Sequence, residues 1–235
     1  MTSMNRTERF DQAWSLATTI AFSVAIALAG ALGLLLTGWL FLNLFSSQSL
    51  LQALSITEKT PWYFARAAGT VAYALLAAST LWGLLLSTRL LKDAIPANLS
   101  LALHNILSWL AVIFTGLHAL ALLWDSYYTY TLADLTVPFI GPYRPGWVGL
   151  GIIGFYLMFV TSLSFSFRKQ MGQKRWRQLH YATFLVYLLA TVHGLLAGTD
   201  SSGTLMLGLY WGSSLAVLAW TGYRFLAHPQ AATSR

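Results

Sequence analysis

The sequence contains no cysteine. That excludes disulfides, thiolate zinc sites, cysteine-ligated iron–sulfur clusters and covalent haem attachment through C-x-x-C-H. Charge is also scarce: Asp, Glu, Lys and Arg together make up 9% of the 235 residues, against 57% hydrophobic residues. A water-soluble globule carries about 25% charged residues, so this composition belongs to a membrane protein. Acids are the scarcer sign, 7 against 14 Lys and Arg, and none falls inside the long apolar runs. A path for a metal cation through a bundle normally includes acidic groups, which weighs against zinc or iron transport.

What the chain has instead is long apolar runs, over about residues 16–45, 62–86, 99–124, 147–167, 179–197 and 204–226. A spanning helix needs ~20 such residues. The expected fold is therefore all-α, a polytopic membrane protein whose six-helix transmembrane bundle forms one domain over residues 1–235, with no separate soluble domain. The first run is far longer than the ~7–15 apolar residues of a signal peptide, so it reads as a retained span. Residues 125–146 are rich in Pro and Gly and form the longest non-helical connection, a candidate cap over one face. Gly149-Leu-Gly151-Ile-Ile-Gly154 formally matches G-x-G-x-x-G. No strand precedes it, as a dinucleotide site requires, so the glycines mark close helix packing.

Cations set the orientation. With six spans, the N-terminus, the second and fourth connections and the C-terminus share one side and hold Arg6, Arg9, Arg89, Lys92, Arg168, Lys169, Lys174, Arg175, Arg177, Arg224 and Arg235. By the positive-inside rule that side is cytoplasmic, which places both termini in the cytoplasm and suggests the cell (inner) membrane. The basic connection 168–177 suits a redox partner or anionic lipid, and its Trp176 suits an interfacial anchor. Net charge reflects topology, so no nucleic-acid partner is implied.

Four histidines lie inside the spans. His104 and His118 are 14 residues apart in the third, and His180 and His193 are 13 apart in the fifth. At ~1.5 Å per residue these spacings are about 21 and 19.5 Å. The two spans run in the same direction, so His104 matches His180 in depth near the cytoplasmic face, and His118 matches His193 nearer the outside. Ionisable side chains at depth are expensive and mark function. Two facing neutral imidazoles suit the axial positions of a haem b, and two such centres would carry electrons rather than bind substrate. One spacing does not fit: at ~100° per residue, 13 residues miss whole turns by about 140°. The fifth span is therefore expected to kink, bulge or hold its haem off axis.

The chain resembles the ferric reductase-like transmembrane domain family, the membrane portion of ferric reductases and NADPH oxidases. The resemblance rests on H-x13-H in the third span, H-x12-H in the fifth, Phe64-Ala-Arg66-Ala-Ala-Gly69, Thr161-Ser162 and Arg175-Trp176-Arg177-Gln-Leu-His180, and covers residues 61–199. It implies two b haems between the third and fifth helices, on the pairs His104/His180 and His118/His193. Electrons would pass from a cytosolic flavin/NAD(P)H-linked donor to an outer acceptor, ferric iron or O2. It also places Arg66 beside the outer haem as a candidate catalytic residue, where a cation would offset propionate charge or attract an anionic acceptor; snorkelling to the interface is the alternative use. The family's flavin domain has no counterpart before Arg235, so a flavin on a separate cytosolic flavoprotein is the expected donor. A similar family, the haem-binding membrane partner of periplasmic methionine sulfoxide reductase, offers a second reading; its pattern lacks a counterpart of His104. A non-catalytic subunit of a larger membrane complex is a third. Arg144, in the outer connection, is a candidate substrate contact or a solvated loop cation.

Overall fold

The computed structural model describes residues 59–88 and 95–227. The expected first span, both termini, Arg89 and Lys92 lie outside the described residues. Within them the chain is helical and contains no strand: α1 (Thr60–Thr88), α2 (Ala97–Ala121), α3 (Leu132–Thr136), α4 (Pro145–Ser164), α5 (Arg168–Met171), α6 (Gln173–His180), α7 (Ala182–Ala197) and α8 (Thr204–Ala227). Five helical stretches are long and apolar enough to cross a membrane: Thr60–Thr88, Ala97–Trp124, Pro145–Met171, Gln173–Ala197 and Thr204–Arg224. The protein is a multi-pass membrane protein.

Its packing runs opposite to that of a soluble bundle. Small residues fill much of the inside, with Ala65, Ala68, Ala72 and Ala77 of α1 and Ala111 of α2 nearly or wholly buried beside larger ones such as Tyr73, Val186 and Tyr187, while Ile106, Ile113 and Leu120 line an exposed face of α2. In lipid, close approach by small residues replaces hydrophobic collapse as the packing force. α1 packs along α2 and α4 along α7, and α1 also meets α7 and α8. α1 and α7 therefore stand at the centre.

A hydroxyl cluster joins α1, α7 and α8. Tyr73 donates to the Tyr187 hydroxyl at 3.1 Å and pairs with Thr191 and Ser213, each at 3.1 Å; Tyr187 and Ser213 are 2.7 Å apart. Interhelical polar bonds in membranes contribute roughly 0.6–1.7 kcal/mol each, so Tyr73→Phe is expected to cost about 1–2 kcal/mol. Denaturant-induced unfolding in detergent measures that loss.

Two segments differ from the sequence reading. The basic stretch 168–177 is not a loop: α5 and α6 occupy it, divided at Gly172, whose φ of 81° lies where glycine is favoured. Arg, Lys, Gln, Met and Leu are good helix formers, and their charge marks a side of the membrane rather than a break in structure. Residues 125–146 contain α3, opened by a capping box in which the Asp134 amide donates to the Thr131 hydroxyl at 3.3 Å, while that hydroxyl and the Thr131 backbone N–H donate to the Asp134 carboxylate at 2.7 and 2.8 Å.

Those two bonds, the hydroxyl's first, hold the Asp134 carboxyl below its usual value. A depressed carboxyl stabilises above its unfolded pKa, ~3.9 for Asp, and the stabilisation is lost as pH falls through the folded value. Amide-exchange protection over residues 131–136 is therefore expected to hold at neutral pH and to fall on acidification below the ordinary Asp range. In Asp134→Ala it should be low at every pH.

Candidate functional site: four histidine rings in two pairs

α2 carries His104 and His118, α6 ends on His180, and α7 carries His193. The structure brings His104 and His180 together with ring centroids 6.0 Å apart and planes at 81°, and His118 and His193 at 6.3 Å and 71°.

Between His180 and His193 the helix is broken where α6 meets α7. At Tyr181 the helix tightens: the Phe184 amide donates to the Tyr181 carbonyl, three residues back, at 3.2 Å. The Thr183 hydroxyl takes the His180 carbonyl at 2.7 Å. Such a turn rotates by ~120° per residue rather than ~100°, which moves His193 toward alignment with His180.

Three rings are fixed through Nδ1. That nitrogen of His118 donates to the Ala65 carbonyl at 2.7 Å, that of His104 to the Ser79 carbonyl at 3.0 Å, and that of His193 to the Trp147 carbonyl at 3.0 Å. A carbonyl only accepts, so Nδ1 carries the proton and Nε2 is left with its lone pair, the arrangement of a ligating histidine. Each ring also rests on a glycine of the facing helix. A Cβ added to Gly69 would lie 2.9 Å from His118 Nδ1, one on Gly83 3.0 Å from His104 Cε1, and one on Gly151 2.7 Å from His193 Nδ1.

His180 is held differently. Trp176 stacks on it with centroids 5.0 Å apart and planes at 20°, and Phe165 packs against the same indole. Trp176 is thus a direct neighbour of the His180 ring. The Nδ1 of His180 and the Nε1 of Trp176 are buried without a hydrogen-bond partner.

The residues fit an iron porphyrin. With nitrogen–metal bonds of ~2 Å, two opposed imidazoles place their nitrogens about 4 Å and their centroids roughly 6 Å apart. Both pairs are at that distance. Among the described residues no group of three or more His, Asp or Glu converges on a point that could hold a bare metal ion; the donor set at each level is two imidazoles. Around His118 and His193 lies a mainly apolar cavity of about 710 Å³, within the ~300–1,000 Å³ of sites for large organic ligands.

Arg66 lines that cavity together with Asp200. Its Nε donates to Asp200 Oδ2 at 2.6 Å, Nη2 meets Oδ1, and the guanidinium lies 4.1 Å above the Trp62 ring. Arg66 is therefore a paired, stacked cation at the cavity. Asp200 is its counter-ion. Arg144, with φ 40°, donates from Nη1 to the Leu196 carbonyl at 2.6 Å and so caps the end of α7 beside Tyr143, which donates to Ala197. Tyr130 also lines the cavity, and burial, helped by the nearby Asp125 carboxylate, pushes its phenol up to about 12.

The glycines of the G-x-G-x-x-G run separate into three uses. Gly149 receives the Phe139 ring, Gly151 receives His193, and Gly154 lets α4 meet Leu189 of α7, where an added Cβ would stand 3.4 Å from Leu189 Cβ.

A family model described as ferric reductase like transmembrane component matches residues 68–191, more than half of the chain. The matched interval contains Gly69, Gly83, His104, His118, Gly151 and His180; His193 lies just beyond its end and Arg66 just before its start. No curated protein and no solved structure matches the chain.

Proposed function

This chain belongs to the family of ferric reductase-like transmembrane components, and we propose that it carries electrons across the membrane through two b haems held by His104/His180 and His118/His193. The observation that carries this reading is the pairing itself: two imidazole pairs, each at the separation of opposed iron ligands, at positions 14 and 13 residues apart along their helices.

Held between two histidines, a haem b would supply one-electron exchange and leave no open site for substrate. The protein's own contribution is positional. The Ala65, Ser79 and Trp147 carbonyls fix the tautomers of three rings, and α1, α4 and α7 supply much of the mainly apolar lining of the cavity at His118 and His193. Arg66 stands beside the outer pair, where its pairing with Asp200 makes it a fixed dipole at the cavity rather than a free cation. It would orient a propionate or an acceptor there.

The positive-inside rule assigns the His180 level to the cytoplasm, where the basic surface of α5 and α6, with Arg168, Lys169, Lys174, Arg175 and Arg177, would receive a separate flavoprotein donor linked to NAD(P)H. The outer acceptor would be ferric iron or O2. His104 favours this two-centre reading over the methionine sulfoxide reductase partner, because it faces His180 and is seated on a carbonyl like its counterparts.

Vesicles containing the protein, with an impermeant reductant on the basic side and a ferric chelate on the other, test the reading. Chelate reduction that depends on the protein supports it; reduction no faster than in protein-free vesicles overturns it.

A further inference from the structure

Three of the four rings share one construction that the function alone does not demand. The accepting carbonyls belong to Ala65, Ser79 and Trp147, and the glycines under the rings are Gly69, Gly83 and Gly151. In every case the glycine follows the carbonyl residue by four positions. The coincidence has a geometric cause. In a helix the Cα–Cβ bond leans toward the N-terminus, so the side chain at i+4 stands over the carbonyl of residue i. That carbonyl already accepts the i+4 amide, and its second lone pair is covered by any side chain at i+4. Glycine leaves it open to a ring from the neighbouring helix.

We propose that Gly69, Gly83 and Gly151 are positioning residues. Each clears one helix carbonyl so that it can take the Nδ1 proton of one histidine, and thereby turns that histidine's Nε2 toward the partner ring. His180 lacks such a seat and is placed by Trp176 instead. The outer pair is then seated on both sides and the inner pair on one. The consequence for cofactor binding rests on the electron-transfer reading above; the tautomer assignment does not. Partners that orient a ligating histidine typically contribute 10–100-fold to affinity for the bound metal.

The test uses [15N]histidine-labelled full-length protein, reduced so that low-spin iron is diamagnetic. Wild-type His104, His118 and His193 should each show a protonated Nδ1 with the proton shift and slow exchange of a hydrogen bond, and His180 should show a protonated Nδ1 without either sign of one. Unprotonated or unbonded Nδ1 atoms on those three residues would overturn the proposal without any variant. Gly69→Ala and Gly151→Ala should then disturb the signals of His118 and His193 respectively and weaken haem retention at that level about 10–100-fold. Gly83→Ala should do the same for His104 and the other level, seen as a shifted midpoint potential and altered g values of that centre alone. Gly116→Ala, where an added Cβ meets nothing within 4 Å, is the control. Seat variants that match Gly116→Ala in nitrogen signals, haem retention and potentials would overturn the proposal. If the wild type takes up no haem, the electron-transfer reading fails, and the Nδ1 signals still decide whether the seats exist.

Discussion

His193→Ala is expected to remove one of two haem equivalents and all outward electron flow, while leaving the other centre spectrally unchanged. The reason lies in the separation of the levels. His193 faces His118, and His104 and His180 face each other on their own level, about 20 Å away along the helices at ~1.5 Å per residue. His118→Ala should give the same phenotype from the opposite wall, since either ring alone would hold a haem by one histidine instead of two. Exogenous imidazole, which fits the space an alanine leaves, should restore the lost spectrum in both variants. Haem extraction and a reduced-minus-oxidised spectrum check each step. Loss of both centres together in a folded protein would show that the levels are not independent.

His180→Ala should be as severe and more informative about direction. It removes the ring at the end of α6, beside the basic surface where a donor would dock. A reductant confined to the basic side should then fail to reduce the His118/His193 level, while a reductant offered on the opposite side should still reduce it in full. Side-specific reduction in oriented vesicles measures both. Equal reduction from the basic side in wild type and variant would remove His180 from the path.

The membrane-spanning character and the histidine pairing were legible in the sequence because each rests on a local regularity. Apolar runs of spanning length mark the helices, and spacings of 14 and 13 on two parallel spans set equal depths. The misfit of the 13-residue spacing also gave warning of the break at Tyr181. The glycine seats were legible in principle: Gly69 and Gly83 are 14 residues apart, as His104 and His118 are, and α1 packs along α2. What hid them is that glycine in a membrane helix ordinarily means close packing, as Gly154 does here.

The Asp200 partner of Arg66 could not be read, because the two are joined only by folding, 134 positions apart. The helical state of residues 168–177 is not apparent from the sequence because a run of charge reads as a loop, although most of its residues favour a helix. The stacking of Trp176 on His180 follows from their four-residue spacing within α6 and shows only once residues 173–180 are read as helix.

The most direct measurement of electron transfer through paired histidines is haem quantification on the wild-type protein, purified after expression with ample haem and titrated potentiometrically. Two haems per polypeptide, both low-spin with two imidazole ligands and titrating as separate one-electron components, are expected. A colourless protein, or one whose haem survives the combined loss of His118, His193, His104 and His180, would contradict it.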